Sequence, residues 1–262
     1  IITVASSAPV LYYFCHYHSA MGGQINTNTT HGSTNFDGNI LSVSNANTTS
    51  GFSIITYTGG GSAGDTIGHG LNSAPEQVWF KRRGATGNWM NYVKAMGNNG
   101  YINLDRTNGK DTGGSPVNNT DPSSTVITLG SFQSLNGNTN TYVAYAFAPV
   151  EGYSKFGSYT GNGSSDGVFI YLGFRPAFII TKQTNATGNW IIMDSVRSST
   201  NVGGHWLYAD GSFTEDTGSS RYYDFVSNGF KLRNGGTGQN DSGDTYIYIA
   251  FAEQPFRYAN AR

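Results

Sequence analysis

A thiol and an imidazole three residues apart, Cys15 and His18, are the first side chains whose types could do covalent chemistry. A cysteine nucleophile needs a base within hydrogen-bond reach to take its proton. Side chains three apart at a strand end point to opposite faces, so this spacing argues against such a pair. His31, His69 and His205 are scattered, without a partner at ligand spacing, and read as packing or surface residues. Acidic residues fall mostly in Gly-rich turns, among them Asp65, Asp105, Asp111, Asp166 and Asp210, where turn chemistry alone explains them. A glycosidase needs two carboxyls facing one cleft about 5–10 Å apart; the sequence neither places such a pair nor excludes it. Asp241-Ser-Gly-Asp244 could approach a calcium ion but lacks the alternating ligands of a dedicated loop.

Whatever positions these side chains is built of strands. Of 262 residues, 36 are Gly and 32 are Tyr or Phe, while only 12% are charged. Such a chain favours strands and tight turns over helices. No window places apolar residues at i, i+3, i+4 and i+7, and the all-β expectation rests on that. The net charge of −1, with no basic run, lacks the electrostatic footprint of a nucleic-acid binder. No apolar stretch approaches the roughly 20 residues that span a bilayer. The start, Ile1-Ile-Thr-Val-Ala-Ser-Ser, lacks the basic flank and apolar core of a secretion signal and reads as the middle of a larger protein. One cysteine excludes an intrachain disulfide framework.

Thr141-Tyr-Val-Ala-Tyr-Ala-Phe-Ala148 returns as Thr245-Tyr-Ile-Tyr-Ile-Ala-Phe-Ala252, and its surroundings return with it. Tyr57-Thr-Gly59 recurs at Tyr159-Thr-Gly161, Pro75 with its following strand and Lys81 at Pro176 and Lys182, Ala85-Thr-Gly-Asn-Trp89 at Ala186-Thr-Gly-Asn-Trp190, and Thr128-Leu129 at Lys231-Leu232. The second copy runs 101–104 residues behind the first. That period is too long for a solenoid and fits a whole small β-domain, with turn signals at sandwich spacing. The sequence therefore predicts two tandem, related β-sandwich units of jelly-roll or lectin-like kind, residues 51–150 and 151–262. A short N-terminal β segment (1–27) and a polar linker with room for one added strand (28–50) precede them. Each Thr-Gly-Asn-Trp reads as a hairpin turn whose Gly and Asn take positive φ. The short junction Pro149-Val-Glu-Gly152 favours close packing of the units.

Trp89 and Trp190 recur, which assigns them to the interior. Trp79 and Trp206 have no aromatic counterpart at their matched positions. They are the candidates for a stacking surface towards a sugar or a partner chain, weighed against a plain core role.

The run Gly157-Ser-Tyr-Thr-Gly-Asn-Gly163, Gly173-Phe-Arg-Pro-Ala-Phe178, Asn228-Gly-Phe-Lys-Leu232, Tyr246-Ile-Tyr-Ile-Ala-Phe-Ala-Glu253 and Pro255-Phe-Arg-Tyr-Ala-Asn-Ala261 resembles a repeat of tailed-bacteriophage virion proteins, common in tail and fibre proteins of marine phages. The resemblance covers residues 51–262 and is weaker in the first copy. It implies a place in the virion as a structural protein, with no catalytic residues and no ligand named. Uncharged, Gly/Asn/Thr-rich, aromatic-studded β-domains suit assembly with other virion subunits as a homo-oligomer and multivalent adhesion to host-surface glycans. A capsid decoration or head-fibre protein and a polysaccharide depolymerase are the alternatives.

Residues 10–27 carry a second likeness. Tyr12-Tyr-Phe-Cys15-His-Tyr-His18-Ser-Ala-Met21-Gly-Gly is similar to the last strand and copper loop of plastocyanin-like cupredoxins. The resemblance implies Cys15, His18 and Met21 as copper ligands, with thiolate and imidazole in the trigonal plane and thioether as weak axial ligand. The Cys-to-Met spacing is two residues short of that loop and the upstream histidine has no match here. The balance of the sequence predicts no cofactor, with the copper loop surviving as sequence only.

Overall fold

The computed structural model describes residues 11–14, 17, 22–25, 32–218, 221–236 and 238–253. Strands β1 (Leu11–Phe14) and β2 (Gly22–Ile25) pair antiparallel as a separate two-stranded sheet. β3 (Ser33–Asn35) and β4 (Ser42–Asn47) precede the first repeat, which contains β5 (Phe52–Thr58), β6 (Thr66–Gly68), β7 (Gln77–Arg82), β8 (Met90–Val93), β9 (Ile102–Asn103), β10 (Val126–Thr128), the single-turn helix α1 (Gln133–Asn136) and β11 (Thr141–Phe147). The second contains β12 (Ser154–Thr160), β13 (Phe169–Tyr171), β14 (Pro176–Gln183), β15 (Ile191–Asp194), β16 (Leu207–Tyr208), β17 (Tyr223–Val226), β18 (Gly229–Leu232) and β19 (Thr245–Ala252). The chain is all-β, as its composition requires.

The duplication is visible in the strand order. The large sheet of the first repeat runs β3-β4-β5-β11-β7-β8-β9, and that of the second runs β12-β19-β14-β15-β16. The order β5-β11-β7-β8-β9 is reproduced strand for strand. Each large sheet is covered on one face by a smaller one, β10-β6 in the first repeat and β13-β18-β17 in the second. In the first repeat, Ile55, Tyr57, Val78, Phe80, Tyr142 and Ala144 of the large sheet meet Ile67 and Ile127 of the small one in one core. In the second, Ile179, Met193, Tyr248 and Ala250 meet Ile170, Phe225, Phe230 and Leu232. Each fully buried side chain of this size contributes about 1.5–3 kcal/mol.

Alternation along the strands leaves a second apolar face on each large sheet. Those faces pack on each other: Val93 and Ile102, with Trp79, Leu104 and Phe147, meet Phe156, Trp190, Ile247 and Ile249. The repeats are thus joined by a core of their own.

Residues 33–47 carry two strands where the sequence left room for one. β3 and β4 extend the first large sheet, in register from Ser42 opposite Tyr57 to Asn47 opposite Phe52. The turn expectation also changes. Seven residues, 83–89, connect β7 to β8, so no tight hairpin is needed, and neither Gly87 nor Asn88 has positive φ. The glycines that matter lie elsewhere. At Gly59 and its counterpart Gly161, a Cβ would sit 2.6 Å from Gly137 O and 2.3 Å from Asp241 O, so only glycine lets these chain segments touch.

Two buried asparagines tie the loop before each closing strand to the rest of its repeat. Asn136 Oδ1 accepts from Gly60 N (3.0 Å) and its Nδ2 donates to Ser62 O (2.9 Å). Asn240 Oδ1 accepts from Asn162 N (2.9 Å) and its Nδ2 donates to Ser164 O (2.9 Å). Beside them, Tyr57 stacks on Tyr142 at 5.3 Å and Tyr159 on Tyr246 at 5.0 Å. Tyr57 and Tyr159 donate to the carbonyls of Leu135 and Gln239, the residues just before the two asparagines.

At the junction, Lys182 is 1% exposed, its ammonium held by the carbonyls of Thr107 (2.9 Å) and Gly188 (2.6 Å). Burial pushes its pKa down to about 8, partly opposed by the carboxylate of Asp210. On the same junction face, Gln77 and Asn91 are fully buried, and all four amide atoms lack a partner among the described residues.

Two predictions follow from these polar groups. Asn136→Ala or Asn240→Ala removes a buried amide and the bonds it makes across the repeat and should cost about 1–3 kcal/mol, whereas Asn91→Leu removes a desolvated amide without a partner and should be neutral or stabilising; urea unfolding measures both. Between about pH 8 and 10 the unfolded chain keeps a proton that folded Lys182 has lost. Stability should therefore rise by about 1–2 kcal/mol from pH 8 to 9.5, before the buried hydroxyls of Tyr57 and Tyr159, pushed up by burial, reverse the slope. Lys182→Met should flatten that rise.

Candidate functional site

The expected ligand set Cys15, His18 and Met21 lies outside the described residues. Among those described, no cluster of three His, Cys, Asp or Glu side chains is placed to hold a metal. His69 is fully buried, its Nδ1 accepting from Leu71 N and its Nε2 facing Ser123 O. The Asp241–Asp244 loop uses its carboxylates internally: Asp241 accepts from Gly238 N and Tyr246 Oη, Asp244 from Gln183 Nε2 and Asn185 Nδ2. No helix among the described residues is long and apolar enough to cross a membrane.

The tryptophans divide differently from the expectation. Trp206 is fully buried in the second core, so its ring offers no stacking surface. It also has an aromatic counterpart after all. Trp206 bridges Asp216 as Tyr101 bridges Asp111, and a longer loop between β15 and β16 hid that match. Trp190 is buried as expected, but Trp89 is only half-buried. Trp79 is half-buried too, and both line a cleft at the repeat junction.

Corresponding clefts open beside the Thr-Gly-Asn-Trp turn in both repeats. The first, about 270 Å³, is lined by Arg82, Asn88, Met90, Tyr101, Asn103 and Ser134 among others. The second, about 580 Å³, has Asn189, Ile191, Tyr208 and Gly238 at the matching places and gains a wall from Phe213 to Gly218. The larger volume is within the range of small-molecule sites.

The second cleft is the better built. β15 and β16 present Ile191 and Tyr208, and the loop back from β16 ends at Asp216. Asp216 Oδ2 accepts from Tyr208 Oη (2.9 Å) and pairs with Arg221 Nη1 (3.0 Å), while Oδ1 accepts from Gly218 N (2.9 Å). The Gly218 amide, then the Tyr208 hydroxyl and the Arg221 charge, hold the Asp216 carboxyl below the usual range against the effect of burial. Arg221 lies over the buried Trp206 ring, 5.0 Å from its centroid, so the tryptophan serves as a floor for the guanidinium. Glu215 pairs with Arg197 at 3.0 Å. Phe213 stands at the rim, 67% exposed, edge-on to Tyr208 at 5.6 Å between centroids.

Sequence reasoning missed Asp216, Arg221 and Phe213. The signal was present in loop length: Asn103–Asp111 and Tyr208–Asp216 are both nine residues, each with Asp at positions three and nine. In both, the first Asp accepts the amide of the turn tryptophan at 3.1 Å.

Neither the curated proteins nor the solved structures contain a match to the chain. A family model described as a domain of unknown function, DUF7483, matches residues 26–255, taking in β3 and β4 with both repeats, and the chain belongs to that family.

Proposed function

We propose that this chain is a non-enzymatic structural and adhesive module of a tailed-bacteriophage virion, placed in a tail fibre or similar appendage. There it assembles as a homo-oligomer with other virion subunits and holds host-surface glycans in the cleft of its second repeat. The setting is supported by the resemblance of residues 51–262 to phage tail and fibre repeats. The recognition is supported by one observation: the exposed Phe213 ring stands beside a polar cleft whose counterpart in the first repeat lacks that wall.

The chemistry suits a sugar. An exposed ring stacks against the C–H face of a pyranose, while Asn189, Thr217, Arg221 and the fixed carboxylate of Asp216 offer donors and acceptors to its hydroxyls. A glycosidase needs one carboxyl kept protonated as an acid. Asp216, held ionised by the Gly218 amide, the Tyr208 hydroxyl and the Arg221 charge, is an acceptor for sugar hydroxyls and not that acid. Each site is shallow and weak, and an array of copies on one appendage makes the attachment firm by effective concentration.

The test is retention of the assembled protein on immobilised host polysaccharide. Phe213→Ala and Arg221→Ala should each reduce it by about tenfold or more, since the loss per site multiplies across an array. Undiminished retention by both variants would sink the reading. Release of reducing sugar that stops in Glu215→Gln or Asp216→Asn would replace it with a depolymerase, and antibody labelling of purified particles on the head would replace the tail with a capsid decoration.

A further inference from the structure

The four edges of the two large sheets are unequal. β3, β9 and β16 end theirs with strands of three, two and two residues, and shortness of this kind blunts an edge. β12, the fourth edge, runs for seven residues from Ser154 to Thr160. Its counterpart in the first repeat, β5, is no edge at all. β4 pairs with it from Ser42 opposite Tyr57 to Asn47 opposite Phe52. Among the described residues, no strand takes the place of β4 in the second repeat.

The ladder with β19 fixes which groups β12 leaves open. Ala252 N donates to Tyr153 O (2.7 Å) and Gly161 N to Asp244 O (2.8 Å), so the odd-numbered residues between them turn their N–H and C=O groups towards β19. The even-numbered residues turn theirs outward. Ser154 exchanges its pair with Val150, at 2.9 and 3.3 Å. Phe156, Ser158 and Thr160 have no backbone partner on that side among the described residues, and Ser158 and Thr160 are exposed. In the first repeat the matching residues Ile54 and Thr56 lie opposite Asn45 and Val43 of β4. Lysine is a common guard of such an edge. Lys155 is drawn off that duty: its Nζ donates to Tyr171 O (2.9 Å) and lies 5.1 Å from the centre of the Tyr171 ring.

The same chain carries strands that lack a sheet. β1 and β2 pair only with each other, and a lone two-stranded sheet is marginal in water. Tyr12, Tyr13 and Phe14 of β1 are residues that favour strands.

We propose that β1 of a second copy adds to the open edge of β12, antiparallel, as β4 adds to β5. One chain holds both parts and leaves them unjoined, its own hairpin being tethered through residues 26–32 to β3, at the edge of the other large sheet. Main-chain bonds carry the affinity in strand addition. Each copy gives one strand and receives another, so two copies close by exchange or several close as a ring. The proposal rests on the homo-oligomer reading and gives it a surface.

The test is sedimentation of the full chain over a concentration series, with amide hydrogen exchange read at both ends of the range. The chain should self-associate, and the amides of Phe156, Ser158, Thr160 and β1 should exchange about tenfold or more slowly in the associated state than in the dilute one. Ser158→Pro removes one outward donor and leaves the β19 ladder whole, while Ser158→Lys sets a charge beside the edge without touching the backbone. Each should weaken association about tenfold or more. Association undiminished in Ser158→Lys and in folded Ser158→Pro would show that this edge is not the interface, and the homo-oligomer reading would stand. Protection already complete in the dilute monomer would mean that the chain covers its own edge, which rules out the second copy as occupant. Protection of the β12 amides without β1 would overturn β1 as the added strand. A chain that stays monomeric throughout overturns this proposal and the homo-oligomer together.

Discussion

Each closing strand, β11 and β19, has a neighbour on both edges and a layer on both faces, and the architecture follows from that burial. β11 is held between β5 and β7, β19 between β12 and β14. Inward, Tyr142, Ala144 and Ala146 face the small sheet of the first repeat, and Tyr246, Tyr248 and Ala250 take the same places in the second. Outward, Phe147 in one and Ile247, Ile249 and Phe251 in the other are apolar as well. A sheet apolar on both sides cannot stop at one covering layer without exposing a large patch to water. The cover for the second face is the other repeat. Duplication thereby solves the problem that a single unit of this kind poses.

That solution is not symmetric, and the differences collect at the clefts. The turn tryptophans, the aspartates that accept their amides, the stacked tyrosines and the clamping asparagines recur and serve folding. The residues that diverge sit on the rims. Phe213 widens one cleft, Trp79 lines another, and neither disturbs the paired cores. A fold whose matching positions carry the packing leaves its unmatched loops free to vary.

Much of this was legible in sequence, because the same strand written twice is a strong signal. The all-β class followed from composition, and the recurrence of the closing strand, which the structure repeats in β11 and β19, followed from the repeated blocks. β4 was hidden by its chemistry. Its inward positions are Ser42, Ser44 and Ala46, so no hydrophobic alternation marks it, yet Ser42 Oγ is satisfied by Gly68 O at 2.8 Å and the strand packs well. Trp206 was misread because a loop insertion shifted its true partner, Tyr101, out of the expected offset. The second cleft was illegible because its parts, Asn189, Tyr208, Asp216 and Arg221, meet only through the pairing of β15 with β16 and the loop that returns from it.

One glycine accounts for the side on which the junction closes. Gly109 runs so near the second repeat that a Cβ there would lie 2.6 Å from Thr184 O and 2.9 Å from Ala186 O. The bonds from Lys110 N to Thr184 O (2.6 Å) and from Gly188 N to Thr107 O (2.9 Å), which close the junction on this side, depend on that approach. In the equal-length loop of the second repeat, the position counted from the shared aspartates holds Thr214. A β-branched side chain cannot come within that distance of two carbonyls, so the Tyr208–Asp216 loop is barred from making the reciprocal contact with the Arg83–Asn88 turn. It folds instead over its own repeat, where Phe213 meets Tyr208. The same exclusion therefore opens the tryptophan cleft at the junction and builds the wall of the cleft beside it.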